Sequence, residues 1–89
     1  MERLKINFKG RVQGVGFRFH SLRIATDLNL TGSVKNLYDG SVEVYVQGRT
    51  ENIEAFIREL DNQKFVRIES KDISKMDLKQ NENSFEILY

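Results

Sequence analysis

Residues Leu4–Leu28, LKINFKGRVQGVGFRFHSLRIATDL, carry a strand, a glycine loop and a helix in immediate succession. Leu4, Ile6 and Phe8 alternate with Lys5, Asn7 and Lys9, the period of a strand with one buried face. Phe17, Leu22, Ile24, Ala25 and Leu28 then trace one broad helical stripe that ends near Asn29, as expected for a helix laid on that buried face. Between the two, Gln13-Gly14-Val15-Gly16-Phe17-Arg18 sets two glycines one residue apart and an arginine where the helix opens. The chain therefore enters its fold as strand, loop, helix, with the loop the least ordinary part.

Downstream, Thr31–Asn36 predicts a short strand and Ser41–Gln47 a clear one, with Val42, Val44 and Val46 on a single face. Asp39-Gly40 between them is a hairpin signal. Gly48 ends the hairpin, Thr50 is the expected N-cap, and Ile53, Phe56, Ile57 and Leu60 fall at the spacings of an amphipathic helix. Val66 and Ile68 open a fourth strand, and Phe85, Ile87 and Tyr89 alternate in a last one. The order βαββαβ plus a terminal strand predicts an α+β, ferredoxin-like split-βαβ sandwich. In it an antiparallel sheet carries both helices on one face and shows water the other. Lys5, Asn7 and Lys9 beside Glu43, Tyr45 and Gln47 would make that open face an ordinary solvated surface. This architecture hosts many activities and decides none of them.

The chain has 89 residues, which predicts one domain over residues 1–89 with room for a shallow site only. Its 14 basic and 13 acidic residues leave a formal net charge of +1, so no global field draws it to nucleic acid or membrane. Without cysteine, a disulfide framework, a thiolate nucleophile and a cysteine-ligated metal are excluded. No apolar run approaches a membrane span and Met1 leads into a charged strand, so the expected location is the cytoplasm; a monomer is expected, although the sequence says little about oligomeric state. The polar stretch Lys79–Asn83 is too short to read as a linker.

Glycine reaches positive φ without steric cost, so a Gly-x-Gly loop can turn successive N–H groups toward one point. A helix opening near Phe17 would add its unpaired N–H groups and the positive end of its dipole. Arg18 would add full charge in a planar fork suited to phosphate or carboxylate oxygens. The same residues also fit a tight turn followed by a solvated arginine, and pattern alone leaves both open. The loop lacks the Gly-Lys-Ser/Thr of a P-loop and the third glycine of a dinucleotide fingerprint.

Acid–base machinery is sparse. His20 is the only histidine, read as structural or solvated rather than catalytic, and no serine–histidine or paired-carboxylate pattern stands out. Phosphoryl transfer asks the protein mainly for positioning and charge stabilisation. A carboxylate leaving group is already a weak base and needs no general acid. What remains is to orient a water, which an uncharged amide can do. Asn36, just before the hairpin, is the candidate, although asparagine before Asp-Gly also serves as a turn cap.

Phe8-Lys9-Gly10-Arg11-Val12-Gln13-Gly14-Val15-Gly16-Phe17-Arg18 resembles the first signature of the acylphosphatase family almost position by position. Gly32-Ser33-Val34-Lys35-Asn36, with Asp39-Gly40-Ser41-Val42 and Gly48, resembles the second, and Phe85–Tyr89 its closing strand. The resemblance spans essentially the whole chain. It implies hydrolysis of the carboxyl–phosphate bond of small-molecule acyl phosphates to a carboxylate and inorganic phosphate, with no metal and no cofactor. It further implies that Arg18 binds the phosphoryl group and Asn36 orients the water, with N–H groups from Gln13, Gly14, Val15, Gly16 and Phe17 shaping the cradle. The side chains of Val12 and Val15 are read as packing. Three positions depart from the family pattern: Ser33 replaces an aromatic, Phe8 a branched aliphatic, and Tyr38 a frequent proline. Of these, Ser33 bears on the packing of its strand and hence on the rigidity behind Asn36.

Two other readings fit the fold. A phosphate-binding or regulatory module would keep the loop without catalysis. An RNA binder is faintly echoed by Gly14–Phe19, but its aromatic motif belongs on a central strand, whereas this segment joins a strand to a helix. No nucleic-acid or membrane partner is expected.

Overall fold

The computed structural model describes Met1–Tyr89. Five strands and two helices follow in the order β1 (Glu2–Arg11), α1 (Phe17–Asp27), β2 (Thr31–Asn36), β3 (Val42–Gly48), α2 (Thr50–Asp61), β4 (Arg67–Met76) and β5 (Phe85–Leu88). The sheet order is β4-β1-β3-β2-β5. The pairs β4–β1, β1–β3 and β3–β2 are antiparallel, and β5 adds to β2 in parallel. The expected split-βαβ sandwich is thus present, extended at one edge by the short last strand.

Alternation along the strands decides which face is dry. Leu4, Ile6 and Phe8 on β1, Val34 on β2 and Val42, Val44 and Val46 on β3 are buried. They meet Phe17, Ile24 and Ala25 from α1 and Ile53, Phe56 and Leu60 from α2 in one core cluster. Phe8, where the family pattern has a smaller aliphatic, is fully buried and packs tilted against Phe17 with ring centroids 5.2 Å apart. The departure therefore ties β1 to the first residue of α1. Phe56 and Phe85 make a second tilted pair, at 6.0 Å, which holds β5 to α2.

Several expectations need correction. Thr50 is not the cap of α2: Arg49 holds that position in an extended conformation without a side-chain cap. The Thr50 hydroxyl donates instead to Glu2 Oε2 at 2.8 Å, so it links α2 to β1. The last strand stops at Leu88, one residue short of Tyr89. The hairpin connection runs from Leu37 to Ser41, closed by Leu37 N–H to the Ser41 carbonyl at 2.9 Å, with Asp39-Gly40 inside it. The register pairs Ser33 with Tyr45, whereas Val34 pairs with Val44 in the core. Ser33 therefore stands on the sheet's outer face, and its small side chain leaves the packing beneath Asn36 intact.

That outer face is not uniformly solvated. Arg3 and Gln47 are buried on it, because the polar segment after β4 folds back across them. Gln47 exchanges two hydrogen bonds with the Lys79 backbone, donating at 3.0 Å and accepting at 2.8 Å. Arg3 pairs with Glu82 at 2.8 Å, and Thr31 donates to the same carboxylate oxygen at 2.7 Å. Burial pushes the Glu82 carboxyl up, but hydrogen bonds from Arg3 and Thr31 and the nearby positive charge outweigh it and leave it below its ordinary value.

Candidate active site

The loop between β1 and α1 adopts the shape that its glycines permit. Gly14 has φ 73° and Gly16 φ 78°, both in the left-handed region that residues with a Cβ avoid. Gly16 caps α1 directly, with no side chain closing the helix end. None of the backbone N–H groups of Gly14, Val15 and Gly16 donates to a protein acceptor among the turn, loop and side-chain hydrogen bonds. Unpaired N–H groups beside a helix N-terminus form a nest for an anion.

Two of the nest's neighbours come from elsewhere. Val12, Gln13, Gly14, Gly16, Phe17, Arg18, Phe19 and Asn36 together line a cavity of about 150 Å³. Asn36 reaches it from the end of β2, where it pairs with Val42 in the β-ladder. Its Oδ1 is buried and has no hydrogen-bond partner. Burying an amide oxygen without a protein partner is costly. Arg18 is half-buried and engaged in none of the three salt bridges. Its guanidinium carbon lies 5.1 Å from the centroid of the Tyr89 ring, within cation–π range.

The side chain of Gln13 does not face the nest. Its Nε2 donates to the carbonyls of Leu37 and Ser41, each at 2.8 Å. The anion loop is thereby bolted to the hairpin that follows Asn36. Ser41 continues the network: Asn7 Nδ2 donates to its hydroxyl at 2.9 Å, and both its hydroxyl and its N–H donate to Asp39. Those hydrogen bonds hold the Asp39 carboxyl below its ordinary value.

Of the residues expected from sequence, Gln13, Gly14, Gly16, Phe17, Arg18 and Asn36 line the one cavity. Val15 is half-buried against the core, so its contribution is limited to its backbone. His20 lies outside that lining, within 3.3 Å of Arg23. No group of three or more His, Asp or Glu side chains is placed to hold a metal ion. Three contributions escaped the sequence: the Gln13 clamp, Phe19 at the rim and Tyr89 over Arg18. Each is a long-range or surface contact, and only the aromatic character of Phe19 and Tyr89 hinted at it.

The glycine loop at the N-terminus of α1, the Arg18 guanidinium and the unpartnered Asn36 oxygen share one cavity, an arrangement of the class suited to an oxyanion. Comparison with known proteins gives that class its family. The acylphosphatase family profile matches residues 4–87. An acylphosphatase from Clostridium acetobutylicum is 40% identical, covering 100% of this chain and 99% of its own, and one from Oceanobacillus iheyensis is 36% identical over 100% of both. The crystal structure of acylphosphatase from Bacillus subtilis superimposes with a TM-score of 0.92 at 31% identity, over 100% of each chain. The chain belongs to the acylphosphatase family. It is an enzyme that hydrolyses acyl phosphates, and the non-catalytic module is set aside.

Proposed function

We propose that Arg18 and the N–H groups of the loop from Gln13 to Phe17 bind the phosphoryl group, while Asn36 orients the water that attacks it. The observation that carries this reading is the unpartnered, buried Asn36 Oδ1 in the same cavity as the nest and Arg18. An amide oxygen accepts a hydrogen bond from water and leaves a water lone pair free to attack. The phosphoryl oxygens meet Arg18 and the N–H groups, which neutralise the charge that spreads over them in the transition state. Bond formation from water to phosphorus and cleavage of the bond to the acyl oxygen release a carboxylate and inorganic phosphate. The carboxylate leaves without protonation, so the site needs no general acid, metal or cofactor. The enzyme works as one domain over residues 1–89, as a cytoplasmic monomer without nucleic-acid or membrane partners. No helix is long and apolar enough to cross a membrane.

The two roles separate experimentally. Asn36→Ala lowers turnover of acetyl phosphate about a hundredfold or more, the scale seen when one aimed polar group is removed. Inorganic phosphate, as a competitive inhibitor, keeps its affinity within about threefold, because removing a transition-state contact leaves ground-state binding nearly untouched. Loss of phosphate binding with turnover retained refutes the assignment of water to Asn36.

A further inference from the structure

Small-molecule acyl phosphates differ only beyond the phosphoryl group, and the in-line geometry of phosphoryl transfer says where that remainder must lie. The attacking and leaving oxygens stand on opposite sides of phosphorus. With the water on Asn36, the acyl group departs on the side of the cavity that Asn36 does not form. Apart from Asn36, the cavity is lined entirely by the loop and the start of α1. Val12 and Phe17 are buried in the core, and Gln13 is committed to two carbonyls. Gly14 and Gly16 offer backbone, and Arg18 serves the phosphoryl oxygens. One side chain is left with apolar area to spare: Phe19, 68% exposed although it lines the cavity.

We infer that Phe19 forms the acyl subsite and gives this enzyme a preference for acyl phosphates whose acyl group is aromatic or bulky and apolar. The inference rests on the assignment of Arg18 and Asn36 above. At 68% exposure the Phe19 ring buries little of its apolar area in the fold. Laid against an aromatic acyl group, the ring would recover the burial it lacks, in an offset or edge-to-face arrangement. A small acyl group such as acetyl would reach little of it.

A second apolar shelf gives the inference a sharp competitor. Leu37, Tyr38 and Tyr89 border a cavity of about 380 Å³ that also touches Asn36. Tyr38 is wholly exposed and stands where the family pattern favours proline. This shelf touches Asn36, the residue assigned to the water, and through Tyr89 it also borders Arg18, so Tyr38 is the control that separates it from Phe19.

The test is the ratio of kcat/KM for benzoyl phosphate over acetyl phosphate in the wild type, Phe19→Ala, Phe19→Leu and Tyr38→Ala. The expected ratio falls about three- to tenfold in Phe19→Ala, the scale of one aromatic contact. The loss falls mainly on the KM for benzoyl phosphate, and Phe19→Leu recovers part of it. Tyr38→Ala keeps the wild-type ratio. A general disturbance of the loop lowers both substrates together and leaves the ratio in place, which contradicts the assignment. A ratio that responds to Tyr38→Ala and not to Phe19→Ala overturns it in favour of the shelf. Failure of the underlying reading looks different: Arg18→Ala would then hydrolyse acetyl phosphate normally, whatever the ratio does.

Discussion

Gln13 Nε2 lies 2.8 Å from the carbonyl oxygen of Leu37, so the glycine loop is fastened to the residue that follows Asn36. The same nitrogen reaches the Ser41 carbonyl at the same distance, and the hairpin is gripped on both arms. Two halves of the site, delivered by different elements, are thereby held at a fixed separation.

Gln13→Ala releases this grip. Two hydrogen bonds at about 1 kcal/mol each predict a loss of roughly 1–3 kcal/mol in stability, measured by urea unfolding. Turnover of acetyl phosphate is expected to fall about tenfold or more, since small misplacements of reacting groups are expensive in rate. Gln13→Glu fares worse than alanine, because a carboxylate donates nothing and faces two carbonyl oxygens. A glutamate variant with wild-type turnover would remove the clamp from the account.

Asn36→Ala separates activity from stability. The variant removes a buried oxygen that has no partner, so unfolding free energy should stay level or rise, by up to about 1 kcal/mol. The nearly inactive variant is therefore no less stable than the active parent. A Tm several degrees below the parent would show that Asn36 serves the fold.

Glu82 gives the protein an acid-sensitive strap. Its folded pKa lies below the ordinary 4.5, so the Arg3–Glu82 pair adds stability that is fully present above about pH 4.5 and fades as pH falls through the lowered value. Glu82→Gln should cost about 1.5–3 kcal/mol at pH 7, the range for a hydrogen bond to a charged group. In acid the two proteins converge. Urea midpoints measured from pH 7 down to pH 3 check this, and a constant difference across the series would contradict it.

Much of the fold was written in periodicity. Val42, Val44 and Val46 announced β3, and Ile53, Phe56, Ile57 and Leu60 announced α2, because local burial patterns repeat with the element. The nest was legible in Gly14 and Gly16 for a related reason: backbone with positive φ selects glycine. Thr50 misled because a capping residue competes with any partner that tertiary structure brings near, here Glu2. The covering of Arg3 and Gln47 was hidden because the strap comes from Lys79 and Glu82, more than thirty residues beyond the nearer of the two. Asn36 could be suspected from its place before the hairpin. That its oxygen is buried and unpartnered is a property of the assembled site, and only the assembled structure displays it.

The most direct test of the account is hydrolysis of acetyl phosphate by Arg18→Ala, with far-UV circular dichroism and urea unfolding on the same sample. The guanidinium is half-buried, in no salt bridge and in contact with Tyr89, so the fold should survive. The expected result is a kcat/KM lower by about a hundredfold to a thousandfold, as for loss of a principal oxyanion contact, and a matching loss of inhibition by phosphate. A folded Arg18→Ala protein with near-wild-type kcat/KM would contradict it.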